Sequence, residues 1–474
     1  MTELLSFLKK NIYQLILLVL LFFTAVKLIS GLTANPLFMD ELFTLNILYS
    51  NDLYKIILYG NILDNHPPLY HLIMFVFTQC FGVSEFIIRL PSVIFNIIAI
   101  YLIFILAKKL FSQTHGLISA IVAIILMPNI YVSQNARGYS LLFLLSILTM
   151  ISLVNIINYK LQQENKNIPF NVLSFFIISS LMCVYTHYYG CILVFCELLF
   201  LFLFFHKNII REITIIVICL TIFFGPWLLI SFPKGLDLVN PNFINWMNWS
   251  LFNNYNLYIL NFIILIGIFF YILKIRNFSI TTIKKEHYSF ALILFLFIFP
   301  FVLISFIHYN IINCYHHRHM IISLAPFYIL VANTFIVISK DKLILIILLF
   351  IFYLSAIKQT NNFIIYNNCE YYLKFMITNS NYTNRHIIII DKGETFWRYY
   401  KYHFDKYLLD KKNITYIKDY SKQNINEIID TLSIINEYKY LWLLDSTSFC
   451  NMKQICDKTL IVISEMLPTI YLAK

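Results

Sequence analysis

Up to about residue 358 the chain is a series of long apolar runs separated by short polar breaks. The first run, residues 12–30, is long enough to cross a bilayer, which takes about 20 apolar residues. Two more, 69–81 and 87–107, precede the basic pair Lys108-Lys109. Further runs lie near 116–133, 138–157, 170–190, 191–206, 212–232, 256–273, 288–307, 320–338 and 343–358. Basic residues in short loops mark the cytoplasmic side of a membrane protein. Lys9 and Lys10 therefore place the N-terminus inside, and Lys108-Lys109 must lie inside as well. The first run crosses, so only one of the two runs between it and Lys108 can cross as well. Residues 69–81 are few and start at Pro67-Pro68, so they read as a helix in the outer interface, and 87–107 crosses. With the later runs alternating, Lys160, Lys166, Lys207, Arg211, Lys274, Arg276, Lys284, Lys285, Lys340 and Lys342 all fall inside. The pattern predicts an all-α polytopic membrane protein with about 11 transmembrane helices.

Past Ile357 no run is long enough to span, and Asn, Lys and Asp become frequent. Residues 386–391, 413–417, 439–445 and 459–464 read as short buried strands, while 394–406 and 424–436 have helical character. Strands alternating with helices predict a small C-terminal α/β domain on the extracytoplasmic face. The chain thus divides into a membrane domain, 1–358, and a soluble outer domain, 359–474. The outer part carries no Gly-rich phosphate loop.

Composition bounds the class in the same way. Apolar residues make up 60% and charged residues 12%, with a mean hydropathy of +0.75. Soluble domains run near about 45–50% and 25%, so a soluble globular protein is excluded. The first run is long and lacks a small-residue cleavage site, so it reads as a retained helix and not a signal peptide. The net charge of +11 gathers in the short loops between apolar runs, where it records orientation and not a nucleic-acid partner. Of nine cysteines, Cys183, Cys191, Cys196 and Cys219 lie in membrane runs and read as apolar filler. Cys369, Cys450 and Cys456 lie in the outer domain, where the simplest disulfide would pair Cys450 with Cys456.

The same topology puts Asp40, Glu41, His66, His71, Arg89, Arg137, Tyr139, His187, His316, His317 and Arg318 on the outer face. Structural polar residues should divide between both faces, so this convergence points to a catalytic cavity open to the periplasm. At its head stand two adjacent carboxylates, Asp40 and Glu41, just past the first membrane run.

The order and spacing of several short motifs resemble a known family. They are Asp40-Glu41, His66-Pro67-Pro68-Leu69-Tyr70, Gly82-Val83-Ser84-Glu85, and Arg89-Leu90-Pro91-Ser92. After these come Ser133-Gln134-Asn135-Ala136-Arg137-Gly138-Tyr139, Tyr185-Thr186-His187-Tyr188-Tyr189-Gly190, and Arg318-His319-Met320 with Pro326. Over roughly residues 10–340 the chain resembles the bacterial protein-mannosyltransferase-like membrane glycosyltransferases, glycosyltransferase family 39, with the GT-C fold. The resemblance implies transfer of a sugar, with inversion, from a polyprenyl-phosphate donor to a glycan, lipid or protein acceptor. It also implies a multi-pass protein of the bacterial inner membrane.

That chemistry needs a base for the acceptor hydroxyl and cationic contacts for the departing phosphate. The resemblance makes Asp40 the base, with Glu41 positioning substrate or tuning its neighbour. Arginine binds phosphate in a two-pronged way and keeps its charge at membrane depth, which suits Arg137 and Arg318, with Tyr139 as a hydroxyl donor. Arg89, beside a helix start, reads as structural. His66 heads a Pro-Pro turn and reads as a helix-entry or substrate contact, and His187 joins the substrate-binding set. His66 and His71 could approach the cluster of His316, His317 and His319, but no pair shows the i, i+4 zinc spacing on a certain helix. No metal ligand is assigned. Relatives divide over a divalent ion, so the resemblance leaves metal dependence open. Trp246 and Trp249, among asparagines in the outer loop 233–255, read as interfacial anchors.

Two rival classes share the gross pattern. A polytopic transporter or lipid flippase would also hold a polar cavity, but transporters favour duplicated halves with Gly/Pro-broken helices. This chain has 10 glycines and no such symmetry. A non-catalytic relative that binds glycolipid would keep the cavity without the base.

Overall fold

The computed structural model describes residues 2–33, 37, 39–49, 52–57, 66–126, 133–163, 166–235, 285–310 and 317–338, and four strands beyond them. For the strands, and for helix ends such as 2–10 and 317–319, the description is of the backbone alone. The chain falls into two compact units. One comprises Met1–Asn35 and Phe43–Asn362; the other comprises Pro36–Leu42 and Phe363–Lys474. The second unit thus takes in the short stretch around Asp40.

The first unit is helical. Its elements are α1 (Thr2–Ser30), α2 (Met39–Tyr49) from Phe43 on, α3 (Leu69–Phe81), α4 (Glu85–Leu110), α5 (Gln113–Ile125) and α6 (Tyr139–Gln162). After these come α7 (Phe170–Thr186), α8 (Tyr189–Gly235), α9 (Lys285–Asn310), a 3-10 segment (His317–Ser323) and α10 (Leu324–Ile338). Local chemistry sets several ends. Gly82 takes a φ of 78°, open to glycine at little cost, and stops α3. Ser84 accepts the Ile87 N–H and starts α4, and Ser112 accepts the His115 N–H and starts α5. Among the described residues six helical stretches are long and apolar enough to cross a bilayer. These are Asn11–Ser30, Glu85–Leu110, Tyr139–Gln162, Asn208–Ser231, Tyr288–Ile307 and Met320–Val337. The chain is therefore a multi-pass, helical membrane protein. Helix α3, at 13 residues, is about 20 Å long, too short to span a core of about 30 Å.

Helix α8 answers to the two runs expected at 191–206 and 212–232, as two arms that meet at a kink. The kink is at Ile209, whose backbone is non-helical (φ −141°, ψ 17°). A straight helix would separate Val194 from Phe224 by about 45 Å. Instead both belong to one apolar cluster with Val184 and Trp227. The Tyr185 hydroxyl also donates to the Phe223 carbonyl at 2.6 Å. The helix therefore doubles back at Ile209, and the basic stretch Lys207–Arg211 forms the bend. The run at 116–133 ends sooner than expected, at Ile125, with 127–132 outside the described residues.

Hydrogen bonds sort the two ends of the bundle. At one end Ser289 donates to the Leu110 carbonyl (3.0 Å), Lys109 to Asn155 Oδ1 (2.7 Å) and Lys160 to the Lys166 carbonyl (2.8 Å). Lys160 also lies 3.8 Å from Glu212. This is the end that gathers the basic loops. The other end carries the starts of α3, α6 and α8 and the finish of α7. Between them α6 is the central helix, buried along most of its length. Exposed residues such as Phe22, Phe23, Ile222 and Leu229 give α1 and α8 lipid-compatible faces.

In the second unit β1 (Arg385–Asp391), β2 (Ile414–Lys418), β3 (Tyr440–Asp445) and β4 (Leu460–Ser464) form one parallel sheet in the order β2-β1-β3-β4. Each lies within one residue of its expected position. Runs such as Ile387 to Ile390 are nearly all apolar, the mark of strands destined for a parallel sheet covered on both faces. The expected helices at 394–406 and 424–436, and the expected crossings at 256–273 and 343–358, lie outside the described residues. So do Trp246, Trp249, Cys369, Cys450 and Cys456.

Candidate active site

The turn from Ser133 to Gly138 is held by three separate helices, each bonded to a different residue of it. Gln134 Nε2 donates to the Leu28 carbonyl at the end of α1 (3.1 Å). Ser92 of α4 donates to the Asn135 carbonyl (2.6 Å), and Thr44 of α2 donates to the Ala136 carbonyl (3.0 Å). Arg137 comes next, largely buried, its own N–H bonded to the Asn135 carbonyl at 2.8 Å. A long cation is thereby presented from a turn with little freedom to move. Sequence reasoning did not single out Thr44, Ser92 or Gln134 as supports, because bonds between residues 43 to 106 positions apart leave no local signal.

Gly138 closes the turn against α3. A Cβ placed there would meet the Tyr70 ring at 3.3 Å and Thr186 at 3.8 Å, so three chain segments approach one another at this glycine. Around it the rings converge. Tyr139 lies 5.7 Å from His187, and His187 lies 5.1 Å from Tyr189, between ring centroids. His66 meets His187 edge to face at 4.5 Å, with their Nε2 atoms 3.0 Å apart. The turn at 187–190 depends on a close backbone approach: a Cβ on Gly190 would stand 2.5 Å from the Cys183 carbonyl oxygen and 2.7 Å from its carbon. Gly190→Ala is accordingly expected to destabilise the protein by about 1–3 kcal/mol, the usual cost of forced overpacking. Thermal unfolding of the detergent-solubilised variant checks this; an unchanged midpoint would mean that the Cys183 carbonyl can yield.

The structure therefore brings His66, Tyr139 and His187 together, with Arg137 in the adjoining turn. His71 is buried, with its ring against that of Tyr70 at 5.5 Å. Asp40 and Glu41 occupy the first turn of α2, where acidic side chains complement the helix dipole. Asp40 is half-buried and Glu41 is buried. Arg89, buried, donates to the Leu32 carbonyl at 2.6 Å and so ties down the chain leaving α1, the structural role expected of it. Arg318 lies on the 3-10 segment, and its side chain is outside the described residues, as are those of His317 and His319. Among the described residues no group of three or more His, Cys, Asp or Glu side chains could hold a metal ion.

A family model described as dolichyl-phosphate-mannose-protein mannosyltransferase matches residues 65–230. That stretch runs from just before His66 into the second arm of α8. It contains His66, Arg137, Tyr139 and His187, and leaves out Asp40, Glu41 and Arg318. Over those residues the match bears out the resemblance read from the sequence. No curated protein matches the chain. Among solved structures the chain is similar to ArnT from Cupriavidus metallidurans bound to undecaprenyl phosphate, at 12% identity and a TM-score of 0.43. The apo crystal structure of the same protein matches at 13% identity and a TM-score of 0.40. The two alignments cover 69% and 70% of this chain and 60% of the ArnT chain in each case. The chain thus spans about three-fifths of the length of those structures.

Proposed function

We propose that this chain is an integral-membrane glycosyltransferase of the GT-C type. It moves one sugar, with inversion, from a polyprenyl-phosphate donor to a glycolipid, polysaccharide or protein acceptor at the extracytoplasmic face of a bacterial inner membrane. One observation carries the reading. Three loops far apart in sequence meet around His66, Tyr139 and His187, at the end of the bundle opposite the basic loops, and all three lie within the family match.

In this reading Asp40 accepts the proton of the acceptor hydroxyl as that oxygen bonds to the anomeric carbon. The bond from that carbon to the phosphate breaks at the same time, and polyprenyl phosphate leaves with the electron pair. A single base and a single displacement invert the anomeric centre. Asp40 suits the role because it is half-buried, so a substrate can reach it, whereas buried Glu41 serves as its positioning neighbour. Arg137 and Arg318 take up charge developing on the phosphate, which a fixed guanidinium does without reorganising. Tyr139 offers a hydroxyl, and His66 and His187 line the donor's head group. The full topology has about 11 crossings, with residues 359–474 forming a small α/β domain outside the membrane.

The sidedness has a direct check. A cysteine at residue 65, beside His66, is expected to react with a membrane-impermeant thiol reagent in intact cells, and one at residue 113, at the basic end, to stay unlabelled. Labelling at 113 from outside would reverse the assignment. The function itself is tested by mass spectrometry of envelope glycolipids and glycans from cells with and without the gene. Loss of a single sugar residue from one species is expected, and identical profiles under conditions of expression would oppose the reading.

A further inference from the structure

We infer that His187 is a positioning residue, one that holds His66 in its Nδ1–H form so that His66 acts as a neutral hydrogen-bond donor and not as a base or a metal ligand through Nε2. The inference rests on the reading of this cluster as the sugar-donor site, but its main readout does not depend on turnover.

The assignment follows from counting protons. The Tyr189 backbone N–H donates to His187 Nδ1 at 3.2 Å, and a peptide N–H can only donate, so Nδ1 carries no proton. A neutral His187 then carries its single proton on Nε2. That nitrogen lies 3.0 Å from His66 Nε2, and a hydrogen bond between two ring nitrogens needs one donor and one acceptor. His187 is therefore the donor and His66 the acceptor. The reverse arrangement would leave His187 with no proton on either nitrogen, an anionic imidazolate. With its Nε2 occupied as acceptor, neutral His66 bears its proton on Nδ1, the ring form less common in water. One backbone amide in the turn between α7 and α8 thus sets the chemistry of a side chain 121 residues from His187 in sequence.

The arrangement also accounts for the surroundings. The turn that supplies the Tyr189 amide is pinned by its own bonds, Gly190 N–H to the His187 carbonyl (2.8 Å) and Cys191 N–H to the Tyr188 carbonyl (3.0 Å). His66 is steadied from the other side by Pro67 and Pro68, which are buried and carry no N–H to compete for a ring nitrogen. A third proton on the pair would have to face an existing N–H, at His66 Nε2 or at His187 Nδ1, and break one of the two bonds.

The test is nitrogen NMR of the full-length protein with 15N-labelled histidine side chains, in lipid nanodiscs at neutral pH, the two rings being assigned by their substitution. Wild type is expected to show His66 protonated on Nδ1 and His187 on Nε2. His187→Gln, whose side-chain amide can donate from nearly the same place as Nε2, should leave His66 unchanged. His187→Phe should return His66 to the Nε2–H form and lower kcat roughly three- to tenfold, the worth of one neutral hydrogen bond, with His187→Gln restoring most of it. His66 protonated on Nε2 in wild type would overturn the inference, as would two doubly protonated rings. A tautomer of His66 indifferent to His187→Phe would do the same. Stoichiometric zinc in the purified protein that removes the proton from both Nε2 atoms would replace it with a metal site. If the tautomers are as stated but no sugar is transferred, the donor-site reading fails and the positioning role stands.

Discussion

Replacing Asp40 by asparagine is expected to lower sugar transfer by roughly 10²- to 10⁴-fold, the usual contribution of a general base, while the protein still inserts and folds. The amide keeps the shape of the carboxylate and cannot accept the proton. The competing account makes Asp40 only a helix-end charge on the first turn of α2. Magnitudes separate the two. A carboxylate at a helix N-terminus is worth about 0.3–1 kcal/mol of stability, and losing it would scarcely move turnover. A hundredfold fall in rate corresponds to about 2.7 kcal/mol at the transition state. Turnover of the purified variant against its melting temperature decides it: a large loss of rate with a small loss of stability supports the base. Wild-type turnover would remove Asp40 from the role and pass it to Glu41. Buried Glu41 gives the companion comparison, since Glu41→Gln should be felt more in substrate affinity than in rate if the carboxylate only positions its neighbour.

The second large effect is expected at Arg137. Its turn is fixed to α1, α4 and α2 through Gln134, Asn135 and Ala136, so the side chain starts from a settled backbone. Arg137→Ala removes a contact to the departing phosphate and should cost roughly 10²-fold in kcat, comparable with loss of one preorganised donor to a developing oxyanion. Arg137→Lys keeps the charge but loses the planar two-pronged geometry, so an intermediate loss of about tenfold is expected. Because charge on the leaving oxygen grows toward the transition state, the change should fall on kcat and not solely on the KM for the lipid donor. Steady-state kinetics with a synthetic polyprenyl-phosphate sugar would show this. A folded Arg137→Ala enzyme unchanged in both parameters would return the residue to a snorkelling anchor at the membrane surface.

The parts of the fold readable from the sequence were those with a local cause. Apolar run length marked the membrane helices, since a helix satisfies its own backbone groups in lipid, and β-branched stretches such as Ile387 to Ile390 marked the strands to within one residue. The reversal at Ile209 was anticipated as a break between two runs. That Ile209 would carry the kink was not, because no Gly or Pro stands there. At the site, residue types carried the signal for Arg137, Tyr139 and His66, but their supports did not announce themselves. Thr44 and Ser92 are ordinary hydroxyls on apolar helices, and only the carbonyls they reach give them meaning. The pairing of His66 with His187 is likewise a product of tertiary approach at Gly138 and Gly190, where each missing Cβ lets backbones or rings come close. The approach of His66 and His71 to His316, His317 and His319, which the sequence suggested, falls on side chains outside the described residues.

The most direct test of the account follows a labelled sugar. Synthetic polyprenyl-phosphate hexoses carrying a radiolabelled sugar are incubated with purified full-length protein and an envelope extract from cells lacking the gene. With one of the hexoses the label is expected to leave the polyprenyl phosphate and appear on envelope material with inverted anomeric configuration. Release of polyprenyl phosphate should match the label transferred, and transfer should be lost with Asp40→Asn. Label that stays on the prenyl phosphate with every hexose, while the intact lipid equilibrates across proteoliposomes containing the protein, would contradict it and make the chain a lipid transporter.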